Sequence, residues 1–126
     1  MATRSRIGIK EPNGTITSIY VHWDGYPSHH GPLLLNHYTT EESVRGLLAL
    51  GDMSGLSKTV ETSKFYARDR GEELTPAYNG DIESLNTEEY GYLFTPGEGW
   101  AWWDNGREMG ALLPEHCEEA AMEDED

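Results

Sequence analysis

Cysteine is almost absent. Cys117 is the only one in 126 residues, so the chain closes no internal disulfide and carries no zinc site built on several thiolates. Its neighbours Glu115, Glu118 and Glu119 disfavour the thiolate a nucleophile needs, even with His116 beside it. Long apolar runs are also missing, and no window approaches the roughly 18 residues of a membrane span. The start Met1-Ala2-Thr3-Arg4-Ser5-Arg6 leads into a short strand pattern and not into the apolar stretch of a signal peptide, so the chain reads as cytosolic. Basic residues are scarce, 9 against 23 acids, for a net charge of -14. A field of that sign repels nucleic acid and anionic membrane and draws in basic surfaces, which excludes direct nucleic-acid binding as the expected role. No P-loop, dinucleotide-binding glycine pattern, nucleophile elbow or H-E-x-x-H motif occurs, and there is no internal repeat. No cofactor and no metal is implied by any motif, and an enzyme is not the expectation.

What is present is carboxylate, unevenly placed. Residues 115–126 hold seven acids and no Lys or Arg, and the preceding residues hold 16 acids against 9 bases, so half of the excess sits in the last twelve residues. Such a run repels itself and has little to bury, and a flexible acidic tail is expected there. The other half lies in the body, where Asp69, Glu72, Glu73, Asp81, Glu83, Glu88 and Glu89 are opposed locally by Arg68 and Arg70 alone. Residues 1–114 are long enough for one modest core and are read as a single domain.

Period-two alternation marks strands. Ile7 and Ile9 share one face, a turn follows at Glu11-Pro12-Asn13-Gly14, and Ile19, Val21 and Trp23 share a face in the next run, which makes a hairpin. Gly31-Pro32 is placed to open a short helix carrying Leu33, Leu34, Leu35 and Tyr38. Thr39 and Glu42 have capping-box spacing ahead of Val44, Leu47 and Leu48, and Gly51 stands where a left-handed cap would end that helix. Residues 57–70 fit neither period well. Ile82 and Leu85 suit a short buried helix, and Tyr90, Tyr92 and Phe94 mark another strand face. The turns Thr95-Pro96-Gly97-Glu98-Gly99 and Asn105-Gly106 bracket Trp100-Ala101-Trp102-Trp103. The expectation is an α+β fold, a small antiparallel sheet built from hairpins with two or three helices packed on one face.

Three clusters carry chemistry. His22-Trp23-Asp24-Gly25-Tyr26-Pro27-Ser28-His29-His30-Gly31, with His37 beyond, contains enough imidazole and carboxylate for a metal site if the fold gathers His22, Asp24 and one of His29, His30 or His37. The plainer assignment puts His22 on a polar strand face and His29 and His30 in an exposed loop. A hydrolase with His22 as base and Asp24 as its orienter has no identified nucleophile. Arg68-Asp69-Arg70-Gly71-Glu72 offers guanidinium forks to an oxyanion, but the adjacent carboxylates compete for them, which favours local ion pairing. Among the aromatics, alternation sets Trp100 and Trp102 on one face and Trp103 on the other. Trp103 is therefore the ring expected at an exposed interface.

Thr3-Arg4-Ser5, His22-Trp23-Asp24-Gly25-Tyr26, Gly31 with Leu34-Leu35 and His37-Tyr38, Leu48-Ala49-Leu50-Gly51-Asp52, and Phe65-Tyr66-Ala67-Arg68-Asp69-Arg70-Gly71 resemble a family of small, mostly uncharacterised acidic proteins of phages and mobile elements. The likeness spans about the first 70 residues, and its most specific part is the H-W-D-G-Y block. It implies a counter-defence context in the host cytoplasm, of the anti-CRISPR or anti-restriction kind, in which carboxylates stand where a target expects phosphates. Duplex DNA presents a charge about every 1.7 Å of axis, and its binders hold arrays of Lys and Arg to match. The expected function is thus stoichiometric inhibition of a basic nucleic-acid-binding host protein by DNA mimicry. The expected contact residues are Asp69, Glu72, Glu73, Asp81, Glu83, Glu88, Glu89 and Trp103. A metal-dependent enzyme built on His22 and Asp24, and an accessory or structural phage protein whose acidity serves solubility, are the alternatives.

Overall fold

Two β-rich runs joined by Glu11-Pro12-Asn13-Gly14 form the expected hairpin, β1 (Ser5–Lys10) against β2 (Ile16–Val21), with Ile7 opposite Ile19 and Lys10 opposite Ile16. The computed structural model describes residues 3–115, so the expected acidic tail, residues 115–126, lies outside the described residues except for Glu115. After β2 come α1 (Pro27–His37), α2 (Glu41–Leu48), β3 (Met53–Gly55), β4 (Lys64–Phe65), α3 (Tyr66–Arg70), β5 (Tyr78–Gly80), α4 (Ile82–Leu85), β6 (Tyr90–Thr95), β7 (Gly99–Asp104) and β8 (Arg107–Ala111). The strands make one sheet in the order β4-β3-β2-β1-β6-β7-β8, with β5 also paired to β2. Pairing is antiparallel except at β1–β6 and β2–β3, where the connections cross over. The fold is α+β. Among the described residues no helix is long and apolar enough to cross a membrane.

Alternation decides which side chains meet. Ile7, Ile9, Ile19, Val21, Tyr92, Phe94, Trp100 and Trp102 point to one face of the sheet, where Leu34 of α1, Tyr38 at its C-cap, and Val44, Leu47 and Leu48 of α2 cover them. Apolar burial on this scale is the main stabilising term of a domain this size. The opposite face holds a smaller cluster of Ile16, Leu85, Leu93 and Trp103, lidded by α4. Helices thus lie on both faces, two on one and the short α4 on the other. This second layer overturns the expectation of an exposed Trp103: its ring is 8% exposed, because Leu85 packs over that side of β7.

Helix boundaries differ from expectation by a few residues. α1 begins at Pro27, whose fixed φ suits the first turn, and Pro32 lies inside the helix on its solvent side. Residues 29 and 30 are therefore helical and not in an exposed loop, and His30 is fully buried. The capping box of α2 is formed by Thr40 and Ser43, one residue after the expected pair: Thr40 Oγ1 accepts from the Ser43 amide, and Ser43 Oγ lies 3.2 Å from the Thr40 amide. Gly51 takes the left-handed conformation expected of it, at φ 79°. The undecided stretch 57–70 becomes the two-residue β4 and the short α3.

Candidate functional site

β3 and β5 share the same edge of β2, β3 at Val21 and β5 at Ile16 to Ser18, which leaves a gap in the ladder between them. Asp52 bridges it. Its Oδ1 accepts the Tyr20 amide at 2.9 Å, a side chain standing in for a strand partner. Beside this gap, on the face that α4 half covers, an open cleft of about 660 Å³ runs between Asp52, the segment Thr75 to Tyr78, and Asp81, Glu83, Ser84 and Thr87. Arg6 is its floor. The Arg6 guanidinium is fixed by Ser18, with Nε 3.0 Å from Ser18 Oγ and Nη2 3.0 Å from the Ser18 carbonyl oxygen. Burial lowers its pKa from the ordinary value, against the pull of Asp52 and Glu88. Tyr78 stands at the rim, 58% exposed. The cleft thus gathers three carboxylates, with Glu88 acting on the same guanidinium, around a single cation already tied to the sheet.

The seven carboxylates singled out from the sequence do not form one patch. Asp69 is engaged at α3: its Oδ2 accepts from the Phe65 amide and from Arg68 Nη2, at 2.8 and 3.0 Å. The hydrogen bond from Arg68, and then that from Phe65, hold its carboxyl below the usual range. Arg68 in turn donates to the carbonyl oxygens of Val60, Glu61 and Ser63. The Arg68–Asp69 pair therefore stitches the preceding loop to α3, and local pairing is what this segment displays. Arg70 stacks over the Tyr66 ring and reaches Glu72 at 4.0 Å, with Glu73 exposed just beyond. Asp81 caps α4 by accepting the Glu83 amide, and Glu83 and Asp81 line the cleft. Glu89 sits where β6 meets the β7–β8 turn, its carbonyl taking the Asn105 amide. Asp69, Glu72 and Glu73 follow one another at and just after α3, while Asp81 and Glu83 line the cleft and Glu88 acts on its Arg6. Asp52, missed by sequence reasoning, completes the second group. Its partner Tyr20 is 32 residues away, and no local pattern announces such a bond.

The histidine cluster is divided. His22 Nδ1 lies 2.7 Å from Tyr20 Oη, His29 Nε2 lies 3.1 Å from the Leu56 carbonyl oxygen, and His37 ends α1 in an exposed position. Among the described residues no three His, Cys, Asp or Glu side chains come together to hold a metal ion, so His22 and Asp24 are not joined by His29, His30 or His37. Sequence reasoning also missed a Ser5–His30 pair, with Ser5 Oγ 3.1 Å from His30 Nε2. The distance suits a nucleophile and its base, but both residues are 0% exposed, which denies a substrate any approach. The pair is a structural pin. Burial, with the neighbouring His29, pushes the His30 pKa down to about 3, so the ring stays neutral and packs against Tyr92 at 5.4 Å. Tyr92 Oη donates to the Gly25 carbonyl oxygen at 2.7 Å. Gly25 is required here by contact: a Cβ would fall 2.6 Å from Ser5 Cβ and 2.8 Å from the Thr3 carbonyl oxygen. The glycine of the H-W-D-G-Y block thus serves packing.

Compared with family models, curated proteins and solved structures, the chain matches none.

Proposed function

We propose that this chain is a stoichiometric inhibitor that binds a basic, nucleic-acid-handling host protein in the host cytoplasm, a counter-defence protein of the anti-CRISPR or anti-restriction kind that acts without turnover. The observation that carries the reading is the group Asp52, Asp81 and Glu83 lining one open cleft, with Glu88 acting on its Arg6; the Asp52 and Asp81 carboxylates are fixed there by a ladder and a capping hydrogen bond. Carboxylates fixed in this way are preorganised for a Lys- and Arg-lined groove and lose little entropy on docking, whereas charges on a loose segment must first be ordered. The exposed Glu72, Glu73 and Glu89 extend the negative field beyond the cleft. Among the described residues, the Ser5–His30 nucleophile–base pair is sealed in the core and is closed to a substrate.

The test is retention of proteins from a bacterial lysate on the immobilised chain, over a salt series. Nucleic-acid-binding proteins are expected to be retained at low salt and released as salt rises, and duplex DNA is expected to displace them. A variant with Glu72, Glu73, Glu83, Glu88 and Glu89 all changed to Gln is expected to retain none of them. Equal retention by that variant overturns the reading. Retention of nothing by the native chain favours the accessory role instead.

A further inference from the structure

Arg45 pairs with Glu11, Arg68 with Asp69 and Arg70 with Glu72, whereas Arg6, partly buried, enters no ion pair among the described residues. A guanidinium taken from water is costly until an anion or enough acceptors face it. Ser18 supplies two acceptors, its Oγ to Nε and its carbonyl oxygen to Nη2, at 3.0 Å each, and among the described residues Nη1 donates to nothing. Asp52 and Glu88 act on the charge from beyond pairing distance, and burial outweighs them, which leaves the guanidinium short of an anion. Arg6 lines the cleft of about 660 Å³, so unmatched donors and an opening large enough for a small molecule coincide.

The other walls narrow the choice of anion. Asp52, Asp81 and Glu83 line the same cleft, which sets three negative charges against one positive and turns away a simple anion. Asp52 and Asp81 each spend Oδ1 on a backbone amide, of Tyr20 and of Glu83, and each keeps Oδ2 for an incoming donor. An occupant that satisfies both parts brings a carboxylate to Arg6 and an excess of positive charge to the acids. Free lysine and arginine have that composition, one carboxylate and two cationic groups on a short frame. A neutral amino acid leaves one more acid unmatched, and an acidic one adds to the excess.

We propose that the cleft is a binding site for a free basic α-amino acid, its carboxylate held by Arg6 and its cationic groups by Asp52, Asp81 and Glu83. The site goes beyond the inhibitor reading and does not depend on it, because docking of a basic surface uses the acids alone and this ligand also uses Arg6. The test sets L-lysine against L-lysinamide, which keeps both cationic groups and lacks the carboxylate. The native chain, labelled with ¹⁵N, is titrated with each at pH 6 and constant ionic strength while the Arg6 Nε signal is followed. L-Lysine is expected to shift that signal to saturation and to bind about tenfold tighter than the amide, about the worth of one charge-assisted hydrogen bond. L-Glutamate is expected to bind more weakly than either. If lysinamide binds as tightly as lysine, the cleft is an acidic surface only, which overturns the proposal and leaves the inhibitor reading in place. An Arg6 signal that lysine does not move overturns it too. Nα-acetyl-L-lysine, which carries the carboxylate and side chain of a polypeptide's last residue, is expected to bind more weakly than lysine. Equal or tighter binding assigns the cleft to a chain end and overturns the free ligand. Arg6→Gln is expected to abolish the preference for lysine over its amide, and a preference that survives overturns the role given to Arg6. The ligands are compared on the native protein, so the result stands whatever the variant's stability.

Discussion

At the scale of single residues, two buried polar groups pair with each other in the interior. Ser5 Oγ and His30 Nε2 are paired in a site without water access, and leaving either alone is expected to cost about 1–3 kcal/mol. The burial of His30 also makes stability depend on pH, with a definite sign. His30 has its pKa lowered from 6.5 to about 3 in the folded chain, so below 6.5 the unfolded chain takes up a proton that the native one refuses. Its contribution is complete above pH 6.5 and is lost progressively as pH falls toward 3. The urea midpoint of the native chain is therefore expected to drop between pH 7 and pH 5, and that of His30→Gln to drop less. Equal slopes refute the assignment. Gly25→Ala tests the neighbouring contact: with Ser5 Cβ 2.6 Å from the added methyl, one of the two backbones must move, and a loss of roughly 2 kcal/mol is expected by chemical denaturation.

At the scale of elements, the ends of α2 show how local chemistry locates a helix. Two threonines stand in sequence before the apolar run, and the structure uses the second, because Ser43 at the third helical position closes the box with Thr40. Thr40→Ala is expected to lower stability by about 1 kcal/mol and Thr39→Ala to leave it within about 0.5 kcal/mol, both measured by thermal or urea unfolding. α2 is further tied to the β1–β2 turn by Arg45, whose Nη2 lies 2.7 Å from Glu11 Oε1. That hydrogen bond, with a second from Thr17, holds the Glu11 carboxyl below the usual range. The turn between β7 and β8 was legible outright, since Asn105 and Gly106 both take positive φ, as a two-residue hairpin loop requires. α4 is the opposite case. Four residues long, with Ile82 still 39% exposed, it carries little period of its own, yet its Leu85 closes the second core.

At the scale of the whole molecule, charge of one sign acts against compactness. With a net charge of -14, self-repulsion is relieved by screening, and the melting temperature is expected to rise by about 3 °C between 20 mM and 300 mM NaCl. A flat or falling trend would mean that pairs such as Arg45–Glu11 outweigh the repulsion. The β1–β2 and β7–β8 hairpins, strand β6 and the α+β class followed from the sequence by itself, because period two, turn residues and capping groups act over a few residues and leave their mark there, whereas β3, β4 and β5, two or three residues each, are too short to show a period. So did the division of the tryptophans between two faces. Tertiary structure alone decided which of those faces was covered, because Leu85 reaches Trp103 from α4, and this moved the exposed indole from Trp103 to Trp23. It also decided that the acids from Asp69 to Glu88 part into two groups, with Glu89 apart from both, and that Asp52 joins one of them. Contacts across 25 or 32 residues, Ser5 with His30 and Tyr20 with Asp52, arise from sheet order, which no short-range pattern encodes.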